Sequence, residues 1–83
     1  MLNKLACSKN RVVGFKQTRK AIQEGRAKVV FLAKDVEKNL LEKIEELCKI
    51  NNVELIYITT MKELGKACNI DVKAACAALI YDK

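Results

Sequence analysis

The sequence predicts an α/β fold, a three-layer α/β/α sandwich, and three observations carry that expectation. Apolar residues recur along the chain with two alternating periods, one helical and one strand-like. Residues 29–33 are continuously apolar between charged flanks, the signature of a strand buried on both faces. There is no proline and no glycine-rich linker, so the alternation runs without a break.

Leu2, Leu5 and Ala6 suggest a short opening helix. Val12 and Val13 form a short strand, closed by Gly14. Residues 15–24 read as a helix with Thr18, Ala21 and Ile22 inward and Arg19, Gln23 and Glu24 outward. Gly25 stands where a C′ glycine would end it. The strand at 29–33 follows. Asp35-Val36-Glu37 then opens the longest helix, to about Asn51, with a stripe of Leu40, Leu41, Ile44, Leu47 and Cys48 at helical spacing. Asn51-Asn52 is turn chemistry. Residues 53–58 form the next strand, with Leu55, Ile56 and Ile58 apolar and Tyr57 amphipathic. Thr60-Met61-Lys62-Glu63 fits a capping box and starts a short helix through Ala67. Residues 68–73 are a loop, and the small apolar residues from Ala74 to Ile80 make a last, central strand. Helices alternating with strands in this way cover a buried sheet on both faces.

At 83 residues the chain is expected to form one domain, spanning 1–83. A domain of this size buries only roughly 60% of its unfolded surface, so its core must be economical. Hydrophobic residues make up 51% of the chain and aromatic residues only 5%, so aliphatic side chains, alanine and cysteine must fill that core. No run of about 18 apolar residues is present, which excludes a helical membrane span. Leu2 to Cys7 is too short and too polar in context for a signal peptide, so a cytoplasmic protein without membrane partners is expected. The four cysteines, Cys7, Cys48, Cys68 and Cys76, include no C-x-x-C pair, and the chain has no histidine to complete a zinc site. They are expected to serve as small core residues.

The net charge is +6, and on so small a domain this favours a polyanionic partner. Its distribution is uneven. Residues 9–34 carry Lys9, Arg11, Lys16, Arg19, Lys20, Arg26, Lys28 and Lys34 against Glu24 alone, while Glu37, Glu42, Glu45 and Glu46 gather later. Within the basic half, Gly14-Phe15-Lys16-Gln17-Thr18-Arg19-Lys20 is the most informative segment. A helix start exposes unpaired N–H groups and a partial positive charge. Lysine there is unfavourable by a few tenths of a kcal/mol unless an anion is present. Lys16 donates, and Gln17 both donates and accepts, so the segment reads as an RNA-docking edge. Phe15 reads as a core anchor, because binders of single strands offer several aromatics.

Enzyme-like patterns fail on inspection. Gly14 to Lys20 lacks the second glycine and the Lys-Ser/Thr pair of a phosphate-binding loop, and Gly65-Lys66 lacks the rest of it too. No Ser, Cys and His constellation supports nucleophilic catalysis. Neither an enzyme nor a cofactor is expected.

Three segments resemble the ribosomal protein L7Ae/L30e family, nearest its small bacterial branch. They are Gly14-x-Lys16-Gln17-x-x-Lys20, the run from Val30 to Val36, and the run from Glu63 to Val72 with one free position. The resemblance covers about residues 4–80. It implies a mixed four-stranded sheet between helices and binding of kink-turn RNA, an RNA with tandem sheared G·A pairs beside a bulge. It further implies that Gly14, Lys16, Gln17 and Lys20 enter the major groove at the G·A pairs, and that Ile70, Asp71 and Val72 cover the looped-out nucleotides. Arg19, Lys34 and Lys73 are weaker candidates for RNA contact. Lys16-Gln17 replaces the Asn-Glu frequent in archaeal and eukaryotic relatives. Asn69 stands where glycine is frequent, and Lys73 where proline or glycine often lies. A ribosomal setting or a structured RNA leader, and a monomer, are the matching expectations. The competing reading is a protein–protein interaction module of the same fold, working through the acidic helix around Glu42, Glu45 and Glu46.

Overall fold

The computed structural model describes residues 10–68, 70 and 72–81. The expected opening helix at Leu2 to Ala6 lies outside them. The elements run β1 (Arg11–Val13), α1 (Phe15–Gln23), β2 (Ala27–Ala33), α2 (Lys38–Ile50), β3 (Glu54–Ile58), α3 (Met61–Ala67) and β4 (Cys76–Ile80). The strands form one four-stranded sheet in the order β1-β4-β2-β3. β4 pairs antiparallel with both β1 and β2, and β2 pairs parallel with β3. This is the mixed sheet that was expected, with β2 and β4 at its centre.

Each face of the sheet has its own core. Ala21 and Ile22 of α1 and Ile44 and Cys48 of α2 pack on Val30, Leu32, Cys76 and Ala78. On the other face, Leu64 and Cys68 pack on Val29, Phe31, Ile58, Ala77 and Leu79, with Met61 and Ala67 alongside. Alternation along β2 sends Val29 and Phe31 one way and Val30 and Leu32 the other, as the pleat requires. Phe31, Ile22 and Leu32 are fully buried, each contributing about 1.5–3 kcal/mol from burial. The inward residues expected on α1, Thr18, Ala21 and Ile22, are the buried ones.

The helix ends follow local chemistry. Gly25 has φ +71°. Its N–H bonds the Ile22 carbonyl at 3.1 Å, and the Arg26 N–H bonds that of Ala21 at 2.8 Å, which together make a Schellman closure. Asn52, at φ 57°, closes α2 likewise, with the Val53 N–H on the Cys48 carbonyl at 2.8 Å. Thr60 accepts the Glu63 N–H at 3.1 Å, the forward half of the expected capping box.

Three boundaries differ from expectation by more than one residue. β2 starts at Ala27, because a register shift between Ala27 and Val29 acts as a bulge and turns Lys28 to solvent. α2 starts at Lys38, because the Asp35 carboxylate accepts the Met61 N–H at 2.8 Å and so caps the start of α3 instead. β4 starts at Cys76, because the Ala74 N–H bonds the Met61 carbonyl at 3.1 Å and keeps Ala74 on α3.

Candidate nucleic-acid interface

Strand directions bring the candidate residues to one edge of the sheet. β1, β2 and β3 end there, and β4, antiparallel to β1 and β2, begins there. Gly14 follows β1, Lys34 follows β2, and residues 70–75 lead into β4. The Gly14 N–H donates to the Cys76 carbonyl at 2.8 Å, and the Ala33 N–H donates to that of Ala75 at 3.0 Å. The start of α1 and the end of the loop before β4 are therefore joined by backbone hydrogen bonds.

Gly14 is the N-cap of α1, with φ 101° and ψ 159°, a conformation essentially reserved for glycine. Its carbonyl accepts the Thr18 N–H at 3.0 Å, while no side chain caps the helix and no acid stands in its first turn. A Cβ built on Gly14 would meet nothing within 4 Å. The glycine thus serves the backbone turn and leaves open space in front of it. Lys16, Gln17 and Lys20 are exposed on a helix whose own first turn carries no acid to offset its partial positive end.

Phe15 is half-buried against the core of the α1/α2 face, which fits its reading as an anchor. The Arg19 guanidinium lies 5.6 Å from the centre of the Phe15 ring, a cation–π arrangement one helical turn apart. This steers Arg19 toward its own helix. Thr18 is fully buried, and its hydroxyl has no regular hydrogen-bond partner. It faces the Cys76 thiol, a weak sulfur partner.

The second segment is strapped along α3. The Ile70 N–H donates to the Gly65 carbonyl at 3.1 Å. A Cβ on Gly65 would overlap the Val72 carbonyl oxygen. Ile70 is half-buried against the core, and Val72 is 69% exposed. Of the two apolar candidates, Val72 is therefore the one presented to solvent. Asp71, the candidate between them, and Asn69 lie outside the described residues. Arg11 of β1 donates to the Cys68 carbonyl at 2.9 Å, tying the end of α3 to the strand that feeds Gly14. Lys34 and Lys73 are exposed.

Lys62, Lys66, Ile70, Val72 and Lys73 line one open groove of about 460 Å³. The reading of the sequence singled out neither Lys62 nor Lys66 as a site residue. Their four-residue spacing on a short helix was the available signal.

Cys48, Cys68 and Cys76 are free and buried, in keeping with the core role expected of them. Burial pushes the Cys48 and Cys76 thiols up to about 11, with the neighbouring Cys76 adding to the effect on Cys48 and Thr18 partly opposing it at Cys76. They are protonated at neutral pH. Cys7 lies outside the described residues. No helix among the described residues is long and apolar enough to cross a membrane.

A model of the ribosomal protein L7Ae/L30e/S12e/Gadd45 family matches residues 1–83. The RNA-binding protein TTE2299 of Caldanaerobacter subterraneus subsp. tengcongensis is 49% identical over 72 residues, covering 87% of this chain and 88% of its own. The RNA-binding protein BH0128 of Halalkalibacterium halodurans is 44% identical over 68 residues, with coverages of 82% and 83%. Among solved structures, the Giardia lamblia 15.5kD RNA binding protein superposes with a TM-score of 0.87 at 22% identity, over 99% of this chain and 69% of that one; at that identity the likeness concerns the fold. With its whole length matched and bacterial relatives near half identity, the chain belongs to the ribosomal protein L7Ae/L30e/S12e/Gadd45 family.

Proposed function

We propose that this chain is a non-enzymatic, cytoplasmic RNA-binding protein that recognises kink-turn RNA, as a monomer of one domain, in a ribosomal or RNA-leader setting. One observation carries the reading. The glycine-opened, acid-free start of α1, with Lys16, Gln17 and Lys20 exposed, is hydrogen-bonded through Gly14 to the beginning of β4, beside the loop that presents Val72. A rigid basic helix end and an apolar loop on one sheet edge suit an RNA that bends between a groove and unpaired nucleotides. The names of the bacterial relatives agree with RNA binding.

In this mechanism Lys16 and Gln17 meet base edges in the groove at the G·A pairs, where a lysine donates to guanine O6 or N7. Lys20, with help from Lys34, supplies phosphate contacts that weaken with salt. Ile70, Asp71 and Val72 cover the looped-out nucleotides. The protein stabilises the kinked RNA by binding it better than the extended form, a population shift.

The test is titration into a kink-turn RNA labelled at both ends, in buffer without Mg²⁺, with end-to-end distance read by energy transfer. A control RNA carries Watson–Crick pairs in place of the G·A pairs. Saturable folding of the first RNA alone is the expected result. Equal weak binding to both would reduce Lys16, Gln17 and Lys20 to a generic basic patch.

A further inference from the structure

We propose that the groove between α3 and the loop before β4 holds the backbone of the unpaired strand, with Lys62 and Lys66 gripping its phosphates. The inference rests on the kink-turn reading above and adds to it a second set of contacts on another helix.

The groove is built by backbone geometry. The Ile70 N–H on the Gly65 carbonyl and the Ala74 N–H on the Met61 carbonyl tie the loop down on α3 at two points. Gly65 has no Cβ to lift the Val72 carbonyl between them. Lys62 and Lys66, one turn apart, line the groove, and Ile70, Val72 and Lys73 are its other lining residues among those described. No acid lines the groove among the described residues, and the sole salt bridge among them joins Arg26 and Glu24. Among the described residues the three lysines thus have no acid beside them in the groove and no salt bridge, and an anion is the ligand chemistry that suits them.

The apolar part narrows the class of anion. Val72 is 69% exposed between these cations. Such a wall suits the face of a ribose or base, which unpaired nucleotides offer and a paired helix does not. A positive groove that tracks a backbone beside surfaces for the bases is how proteins hold single strands. The groove also shares Ile70 and Val72 with the loop assigned to the looped-out nucleotides, so one strand reaches both.

The experiment compares four proteins on two RNAs. The proteins are the wild type, Lys62→Gln/Lys66→Gln, Lys16→Ala, and Lys38→Gln/Lys49→Gln as a charge-matched control on α2, whose core lies on the opposite face of the sheet. The RNAs are the kink-turn and the same RNA with uncharged methylphosphonate linkages in its bulge. Removal of two phosphate contacts should lower affinity about tenfold and flatten the log–log salt slope by about 1.4, at ~0.7 per single-strand contact. The control variant should lose less, and on the uncharged-bulge RNA Lys62→Gln/Lys66→Gln should bind as the wild type does. Wild-type affinity and slope for Lys62→Gln/Lys66→Gln, alongside a loss for Lys16→Ala, would overturn the groove assignment and leave kink-turn recognition standing. An equal loss on both RNAs would also overturn it, since the lysines would then be acting elsewhere. In the titration given under the proposed function, failure of the wild type to prefer the kink-turn over its control RNA without G·A pairs would remove the kink-turn reading, and the groove assignment with it.

Discussion

The Val72 carbonyl lies across the Cα of Gly65, so close that a Cβ there would overlap its oxygen and come within 3.2 Å of its carbon. The obstacle is main chain, so no rotamer change relieves it. Gly65→Ala should therefore lift the loop off α3, at about 1–3 kcal/mol of overpacking cost. Urea unfolding should show the loss, and RNA affinity should fall through the Val72 loop while the Lys16 side of the interface stays intact. An alanine variant with unchanged stability would mean that the loop shifts freely and that Gly65 does not seat it.

Gly14 is a different case. A Cβ there meets nothing within 4 Å, but φ is 101° and ψ 159°. Gly14→Ala should cost about 1–3 kcal/mol through backbone strain alone. Chemical unfolding gives the magnitude, and chemical shifts at Phe15 to Thr18 should report a displaced helix start.

Lys16 and Lys34 should separate specificity from general affinity. Lys16→Ala should cost about 1–3 kcal/mol on kink-turn RNA and reduce the preference over the control without G·A pairs. Lys34→Ala should weaken every RNA mildly and equally, as loss of a phosphate contact does. Unchanged kink-turn affinity in Lys16→Ala would place the recognition site elsewhere.

The buried thiols give a pH dependence with a definite sign. Cys48 and Cys76 ionise only near 11 in the folded protein, against about 8.5 for an ordinary cysteine. Above the ordinary value the unfolded chain releases these protons and the folded chain retains them. Their contribution to stability is full below that value and is lost as pH rises toward about 11, at about 1.4 kcal/mol per pH unit for each thiol. Urea unfolding at pH 8, 9.5 and 10.5 should show the decline, and Cys48→Ala/Cys76→Ala should show a shallower one.

Arg11 should act at a distance from its own strand. Its guanidinium holds the Cys68 carbonyl at the end of α3. Arg11→Met should loosen that end, and hydrogen exchange at the Ile70 N–H, which closes the same turn onto Gly65, should quicken. Unaltered exchange would show that the Gly65 contacts alone secure the loop.

Much of the architecture was readable residue by residue. The 3.6-residue stripe marked Thr18, Ala21 and Ile22 as the inward face of α1, and they are buried. Gly25, Asn51-Asn52 and Thr60 marked three helix ends, and each closes by bonds among residues within five positions. The start of α1 was legible as a candidate site for the same reason, since Gly14 and the exposed Lys16, Gln17 and Lys20 lie within two turns.

What the sequence determined by itself is local: the alternation of helix and strand, the caps and turns, and the basic, acid-free opening of α1. These depend on propensity and on hydrogen bonds between near neighbours, which chain order already supplies. Packing across the sheet is what made Asp35 cap α3 rather than begin α2, set Arg11 on a carbonyl 57 residues away, and let Lys28 leave a buried strand at a bulge. It likewise decided that Lys62 and Lys66 would share a groove with Lys73. Each of these unites groups distant in the chain, or sets a strand against its neighbour, and their meeting depends on how the sheet pairs and on what packs against it.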